Sequence, residues 1–305
     1  MITKKKGEWY EIIIPSHWEG LTLEELLRTR WKAPKKQIHL MRMEKSIRVD
    51  GTAPRWTSPL AKGSRLELKL FAEEEFGVKP AYHDIDVLYE DEHMLILNKP
   101  AGMDTHPNEP MQEDTLANAA AYHLLAKGEY RHLKHIHRLD KDTTGAVLFA
   151  KHALAGGMLD QLLKERKIKR TYIAMADGII KQKKGVIRKP IGRDRHHPTR
   201  RRVSPGGQDA VTHYEVAAVF PREQQTLVSC RLETGRTHQI RVHFSDMGHP
   251  LTGDRLYGGS PVYPRQALHA AKLEVPHPFT EEAVVCYAPI TGNPEMFKGF
   301  QLEEL

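Results

Sequence analysis

The chain has 305 residues, room for two domains of ordinary size, and its 40% hydrophobic and 28% charged residues exclude a disordered or membrane-embedded chain. Lys and Arg number 46 against 39 Asp and Glu, and Cys230 and Cys286 are the only cysteines, too few for a disulfide framework or a cysteine-built zinc site. No apolar run approaches a membrane span, and the one at 12–14 stops at Pro15, so a reduced, cytoplasmic, unexported protein is expected.

Residues 1–76 read as a small unit. Leu21, Leu23, Leu26 and Leu27 repeat at helical spacing within 21–30, and Glu24 and Glu25 sit near its start. A second helix follows Pro34, with Ile38 and Met41 inward and Lys35, Lys36 and Arg42 outward. Short strands come next at 46–49 and 65–70, with a turn at Asp50-Gly51. The acidic run 73–75, then Gly77 and Pro80, marks a linker.

A second unit, 77–305, follows. Strands are predicted at 87–89 and 94–98, and an Ala- and Leu-rich helix at 115–125 capped by Thr115 or Asp114. A buried strand at 145–150, a helix at 154–165 and a strand at 170–176 come next. Further strands at 213–219, 226–232 and 268–275 surround a helix at 238–246 that stops before Gly248-His249-Pro250. Interleaved elements with hairpin-length connections predict an α+β fold on a mixed, mainly antiparallel sheet. Charge is concentrated as well. Residues 160–205 hold 15 basic and 4 acidic side chains, a net of +11 that leaves −4 for the remainder. Such a patch suits a polyanion better than a merely solvated surface.

Chemistry-bearing residues fall in two stretches. Asp140, in HRLDKDTTGAVLFAKH (137–152), lies on a polar segment that feeds a buried strand. A carboxylate there needs a cation or donors to stay ionised, although an Asp bracing a turn gives the same pattern. Arg241 sits among Ile240, Val242 and Phe244, a costly place for a guanidinium without an acid. The two are expected to pair, catalytically or only structurally. His132, His135 and His137 cluster without a carboxylate on the same face, so no metal is expected. No phosphate-loop or dinucleotide motif appears, and no cofactor is expected.

HRLDKDTTG (137–145) resembles the signature of RluA-type pseudouridine synthases, with Thr144 where the family usually has Ser. The resemblance extends in order through ILNKPAGM (96–103), KRTYIAMADG (169–178), TGRTHQIRVHF (234–244), GHPLTGDRLYG (248–258), QALHAAKLEVPHP (266–278) and YAPI (287–290). Residues 20–72 resemble, less closely, the small RNA-binding module of ribosomal protein S-four. The resemblance implies that a uridine in RNA is isomerised to pseudouridine without cofactor or metal. It implies Asp140 as the essential carboxylate, Tyr172 as the platform for the flipped uracil, Arg241 as the partner of Asp140 and Arg138 as the filler of the vacated stack. RNA or base contacts are expected at Lys99, His137, Arg138, Arg236, His238 and Ile240. They are also expected at Arg193, Arg195, Arg200, Arg201 and Arg202, in a basic loop (188–202) with Gly206-Gly207 as a hinge. Large-subunit ribosomal RNA is the favoured partner and transfer RNA the alternative. A monomer is the default, and a noncatalytic RNA-binding protein of the same fold is the rival.

Overall fold

The computed structural model describes residues 1–301, so 302–305 of the predicted second unit lie outside the described residues. The first unit opens on β1 (Thr3–Lys6), β2 (Trp9–Ile13) and α1 (Leu23–Glu25), which runs on into a wider π-helical turn, Leu26–Arg30. Then come α2 (Lys35–Met43), β3 (Ile47–Val49) and β4 (Arg65–Lys69). Thr22 caps α1 in a reciprocal capping box with Glu25. The four strands form an antiparallel sheet in the order β1-β2-β4-β3. Strands β1 and β2 escaped the sequence reading. Lysines fill most of β1, and WYEII in β2 carries apolar groups on both faces, which blurs the period of two.

The second unit contains β5 (Asp86–Glu90), β6 (Met94–Lys99), α3 (Leu116–Ala126), β7 (Lys134–His135), β8 (Thr144–Ala150) and α4 (Ala153–Lys164). It continues with β9 (Lys169–Asp177), β10 (Lys184–Arg188), β11 (Ile191–Arg193), β12 (Arg201–Val203), β13 (Val211–Phe220) and β14 (Gln225–Leu232). Helix α5 (Gln239–Asp246), β15 (Leu268–Pro276) and β16 (Ala283–Tyr287) complete it. The main sheet runs β10-β13-β14-β9-β15-β8-β6-β5, with β7 beside β8 and β16 beside β15. Every pair is antiparallel except β8 with β15. At that pair Gly145 has φ +113°, and a Cβ there would lie 2.3 Å from the carbonyl oxygen of Ala270. Only glycine fits.

Alternate residues of the central strands feed two cores. Met94, Ile96, Ala146, Leu148 and Ala150 face the core shared with the N-terminal sheet and α4, while Leu95, Leu97, Val147 and Phe149 face the one under α3 and α5. The first unit is bound into the first core by ring contacts of Tyr10, from β2, and of Trp31, after the π-helical turn, with Phe279, at 5.4 and 5.2 Å. The linker is pinned as well, since Glu74 N–H donates to Tyr130 C=O and Ala81 N–H to Asn118 C=O.

One expectation is corrected. The basic stretch 188–202 is not an open loop, because β10 is an edge strand of the main sheet and β11–β12 form a hairpin. Ile191 and Val203 pack with Val242 and Tyr257, an apolar anchor that the high charge density masks in the sequence. Gly207 is no hinge, since a Cβ there would lie 2.5 Å from the carbonyl carbon of Ile191. Among the described residues no helix is long and apolar enough to cross a membrane.

Candidate active site

Asp140 lies on the turn between β7 and β8, and local bonds fix that turn. Thr143 N–H donates to Asp140 C=O at 3.0 Å, and the Thr105 hydroxyl bridges the backbone N–H and C=O of Leu139, each at 3.1 Å. Lys99 is a further brace. Its ammonium donates to the carbonyls of Pro100, Met103 and Lys141 at 2.6–2.9 Å, and the residue is 0% exposed. Burial pulls its pKa down to about 7, against the nearby carboxylates of Asp140, Asp142 and Asp104. The expected RNA contact at Lys99 is therefore corrected: all three of its donors serve the loops around Asp140. Thr144, where the usual motif has Ser, gives its hydroxyl to His269 Nδ1 at 2.7 Å, while His269 Nε2 reaches Ala288 C=O.

Arg241 comes from the first turn of α5. His238 caps that helix in the left-handed region, φ 59°, an uncommon state for a residue with a side chain. Arg241 Nη1 donates to Asp140 Oδ2 at 2.9 Å. Its Nε and Nη2 form a bidentate pair with the buried Asp254, at 2.7 and 2.9 Å. Burial works against the charge, but Asp254 and Asp140 together hold the guanidinium above its ordinary pKa. Asp254 went unnoticed in the sequence. The signal was there, since a buried guanidinium has five N–H donors and one carboxylate cannot satisfy them. His238 Nδ1 hydrogen-bonds Tyr257 Oη at 2.9 Å, its Nε2 lies 3.8 Å from Asp140 Oδ2, and burial lowers its pKa.

These groups face a cleft of about 630 Å³. Tyr172, projecting from β9, is buried in its wall, and burial raises the pKa of its phenol. Arg138 lines the cleft from an exposed position. Ile240, Arg236 and His238 line it too, with Arg236 Nε on the carbonyl of Asp209 at 3.0 Å. His137 is part of the same wall but is buried. It accepts from Leu148 N–H at 3.3 Å, and burial brings its pKa to about 3, so it is a neutral wall group. Arg193, Arg195, Arg200, Arg201 and Arg202 are not among the lining residues. Their hairpin is tied to the site through Tyr257, whose hydroxyl accepts from Arg201 N–H at 2.9 Å and whose ring lies 5.0 Å from the Arg241 guanidinium. No cluster of His, Cys, Asp or Glu able to hold a metal ion occurs among the described residues.

A carboxylate held by a doubly anchored arginine, beside a buried tyrosine and a basic rim, defines an enzyme site built for a polyanionic substrate. Residues 93–246 match the family described as RNA pseudouridylate synthase, and residues 10–66 match the RluD ribosomal pseudouridine synthase N-terminal domain. The chain is 51% identical to the uncharacterized RNA pseudouridine synthase YhcT of Bacillus subtilis, over 95% of this chain and 96% of the relative. It is 35% identical to the ribosomal large subunit pseudouridine synthase D of Nitrosomonas europaea, over 93% and 85%. Among solved structures it resembles human RNA pseudouridylate synthase domain containing 1, with TM-score 0.58 and 25% identity over 72% of this chain and 89% of that one. The chain belongs to the RNA pseudouridylate synthase family, and is an isomerase that converts uridine to pseudouridine in RNA.

Proposed function

We propose that the substrate is a uridine of large-subunit ribosomal RNA and that Asp140 is the group on which the reaction turns. The observation that carries this reading is the 2.9 Å contact of Arg241 with Asp140 at a cleft that also holds Tyr172. Matches to ribosomal large subunit pseudouridine synthases support the choice of RNA. Residues 1–76 serve in this reading as an accessory RNA-binding unit and 77–305 as the catalytic domain, acting as a cytoplasmic monomer.

The target base flips into the cleft and stacks against Tyr172, while Arg138 fills the space it leaves in the RNA. The bond from sugar C1′ to base N1 breaks. Positive charge builds on the sugar, and the ionised Asp140 stabilises it or bonds to it. The base turns and C1′ bonds to C5, which loses its proton while N1 gains one. The product is an isomer of the substrate, so the balance needs no redox partner. Arg241 holds the Asp140 carboxylate in place and offsets its charge once the base displaces water.

Tritium release from RNA labelled at uridine C5 tests the reading. Intact protein and Asp140→Asn are compared on ribosomal and transfer RNA from a strain lacking the gene. Release from ribosomal RNA by the intact enzyme alone is expected. Equal release by the variant would remove Asp140 from its role, and release from transfer RNA only would move the substrate class.

A further inference from the structure

Arg170 precedes Tyr172 by two residues on β9, so both side chains leave the same face of the strand, about 6.6 Å apart. Both line the cleft. Arg170 is only 8% exposed, and its Nε is buried with no hydrogen-bond partner. Among the described residues no carboxylate pairs with its guanidinium. The acids that line the cleft are all engaged elsewhere: Asp140 with Arg241, Asp160 with Lys134, and Glu233 with Arg166 and His213. Burial lowers the pKa of nearby His137, and the charge of Arg170 adds to that shift.

A buried cation without an anion is costly to keep. Most buried guanidinium groups are neutralised within the fold, as Arg241 is by two carboxylates. Arg170 is held ready with no such partner, which calls for an anion that arrives from outside. Gly235 leaves room for the guanidinium itself at the cleft wall: a Cβ at 235 would lie 2.8 Å from Arg170 Nη1. Exposed Lys164 and the half-buried Arg236 line the same cleft, so the potential there is positive.

We propose that Arg170 is a phosphate seat. Its planar fork takes the RNA phosphodiester adjoining the flipped uridine, one nucleotide's reach from the Tyr172 ring. This inference rests on the assignment of the cleft to a flipped uridine in RNA. Arg170 thereby sets the depth and direction in which the base enters, independently of the exposed basic hairpin.

The test compares the full-length protein with Arg170→Met, which keeps bulk without charge, and Arg170→Lys, which keeps charge without the fork. Oligouridylate binding is measured over a range of salt, and thermal stability with and without inorganic phosphate. Arg170→Met is expected to bind about tenfold more weakly, with a log-log salt slope smaller by ~0.7. Arg170→Lys should retain the slope. The melting temperature of Arg170→Met should equal or exceed that of the intact protein, since a lone buried charge has been removed. A lower melting temperature with an unchanged slope would make Arg170 structural and overturn the proposal. Phosphate that stabilises the intact protein but not Arg170→Met, with no change in RNA slope, would assign the seat to free phosphate and overturn the RNA assignment. These binding arms need no turnover, so a failure of tritium release would count against the isomerase reading and not against the seat.

Discussion

Two buried polar clusters occupy the two cores of the main sheet. Beneath the N-terminal sheet, Asp91 accepts from the N–H groups of His93 and Met94 and from Tyr89 Oη, and it pairs with His277 at 3.0 Å. His93 and His152 hydrogen-bond at 2.9 Å, and Tyr10, Phe71 and Phe279 enclose them. Under α5, Asp254 and Arg241 are equally well bonded, but the third member, Asp140, is bonded through Oδ2 and borders a cleft. In the first cluster the carboxylate is fully engaged, Asp91 meeting four partners, which suits a joint. The second stops one donor short, at the other oxygen of Asp140, which suits a site: buried polar groups fully paired among themselves rigidify, and groups left incomplete await a ligand.

The sharpest way to separate the two is Asp140→Asn. Turnover should fall by ~10³-fold or more, with RNA affinity changed by a small factor and the melting temperature nearly unchanged. Tritium release, binding and calorimetry read the three. Asp254→Asn should cost ~10²-fold in turnover because Arg241 loses its bidentate anchor and Asp140 its alignment. Here the melting temperature should also drop by several degrees, since a buried charge pair is broken. If Asp254→Asn left both untouched, Asp254 would have no part in aligning the site.

Acid probes the other cluster. Burial holds His152 at about 3 and His93 well below its ordinary pKa, partly through His152 itself. In the unfolded chain each returns to ~6.5. The unfolded state therefore binds more protons between pH 6.5 and about 3, so stability should fall as pH drops through that window. His152→Asn should flatten this slope by at most ~1.4 kcal/mol per pH unit, read by urea unfolding at successive pH values. An unchanged slope would mean that His152 does not titrate with folding. The smallest effect is expected at the rim. Neutralising Arg200, Arg201 and Arg202 should reduce the salt slope of RNA binding by ~0.7–0.9 per lost phosphate contact. Turnover at saturating RNA should hold, because Tyr257 is anchored by the backbone N–H of Arg201 and not by its side chain.

Much of this was legible in the sequence because its causes are local. The cap of α3 at Thr115, the doubly apolar run of β8 and the stop of α5 before Gly248 follow from spacing and turn chemistry within a few residues. The expected meeting of Asp140 and Arg241 came from a local mismatch on each side, a carboxylate at the mouth of a buried strand and a guanidinium among apolar neighbours. The sequence alone also determined the family, through blocks in a fixed order, and the concentration of basic charge at 160–205.

Sheet order decided the rest. Asp140 and Arg241 are 101 residues apart, and Arg241 and Asp254 meet across the turn after α5. Whether Lys99 faces RNA or three carbonyls, and whether 188–202 is a loop or a hairpin, depends on what packs above them. Arg170 makes the point most plainly. A pattern of residue types records that a guanidinium is present, but only the finished packing shows that every neighbouring carboxylate is already taken. Periodicity and capping act along the chain, whereas desolvation and charge pairing act through space.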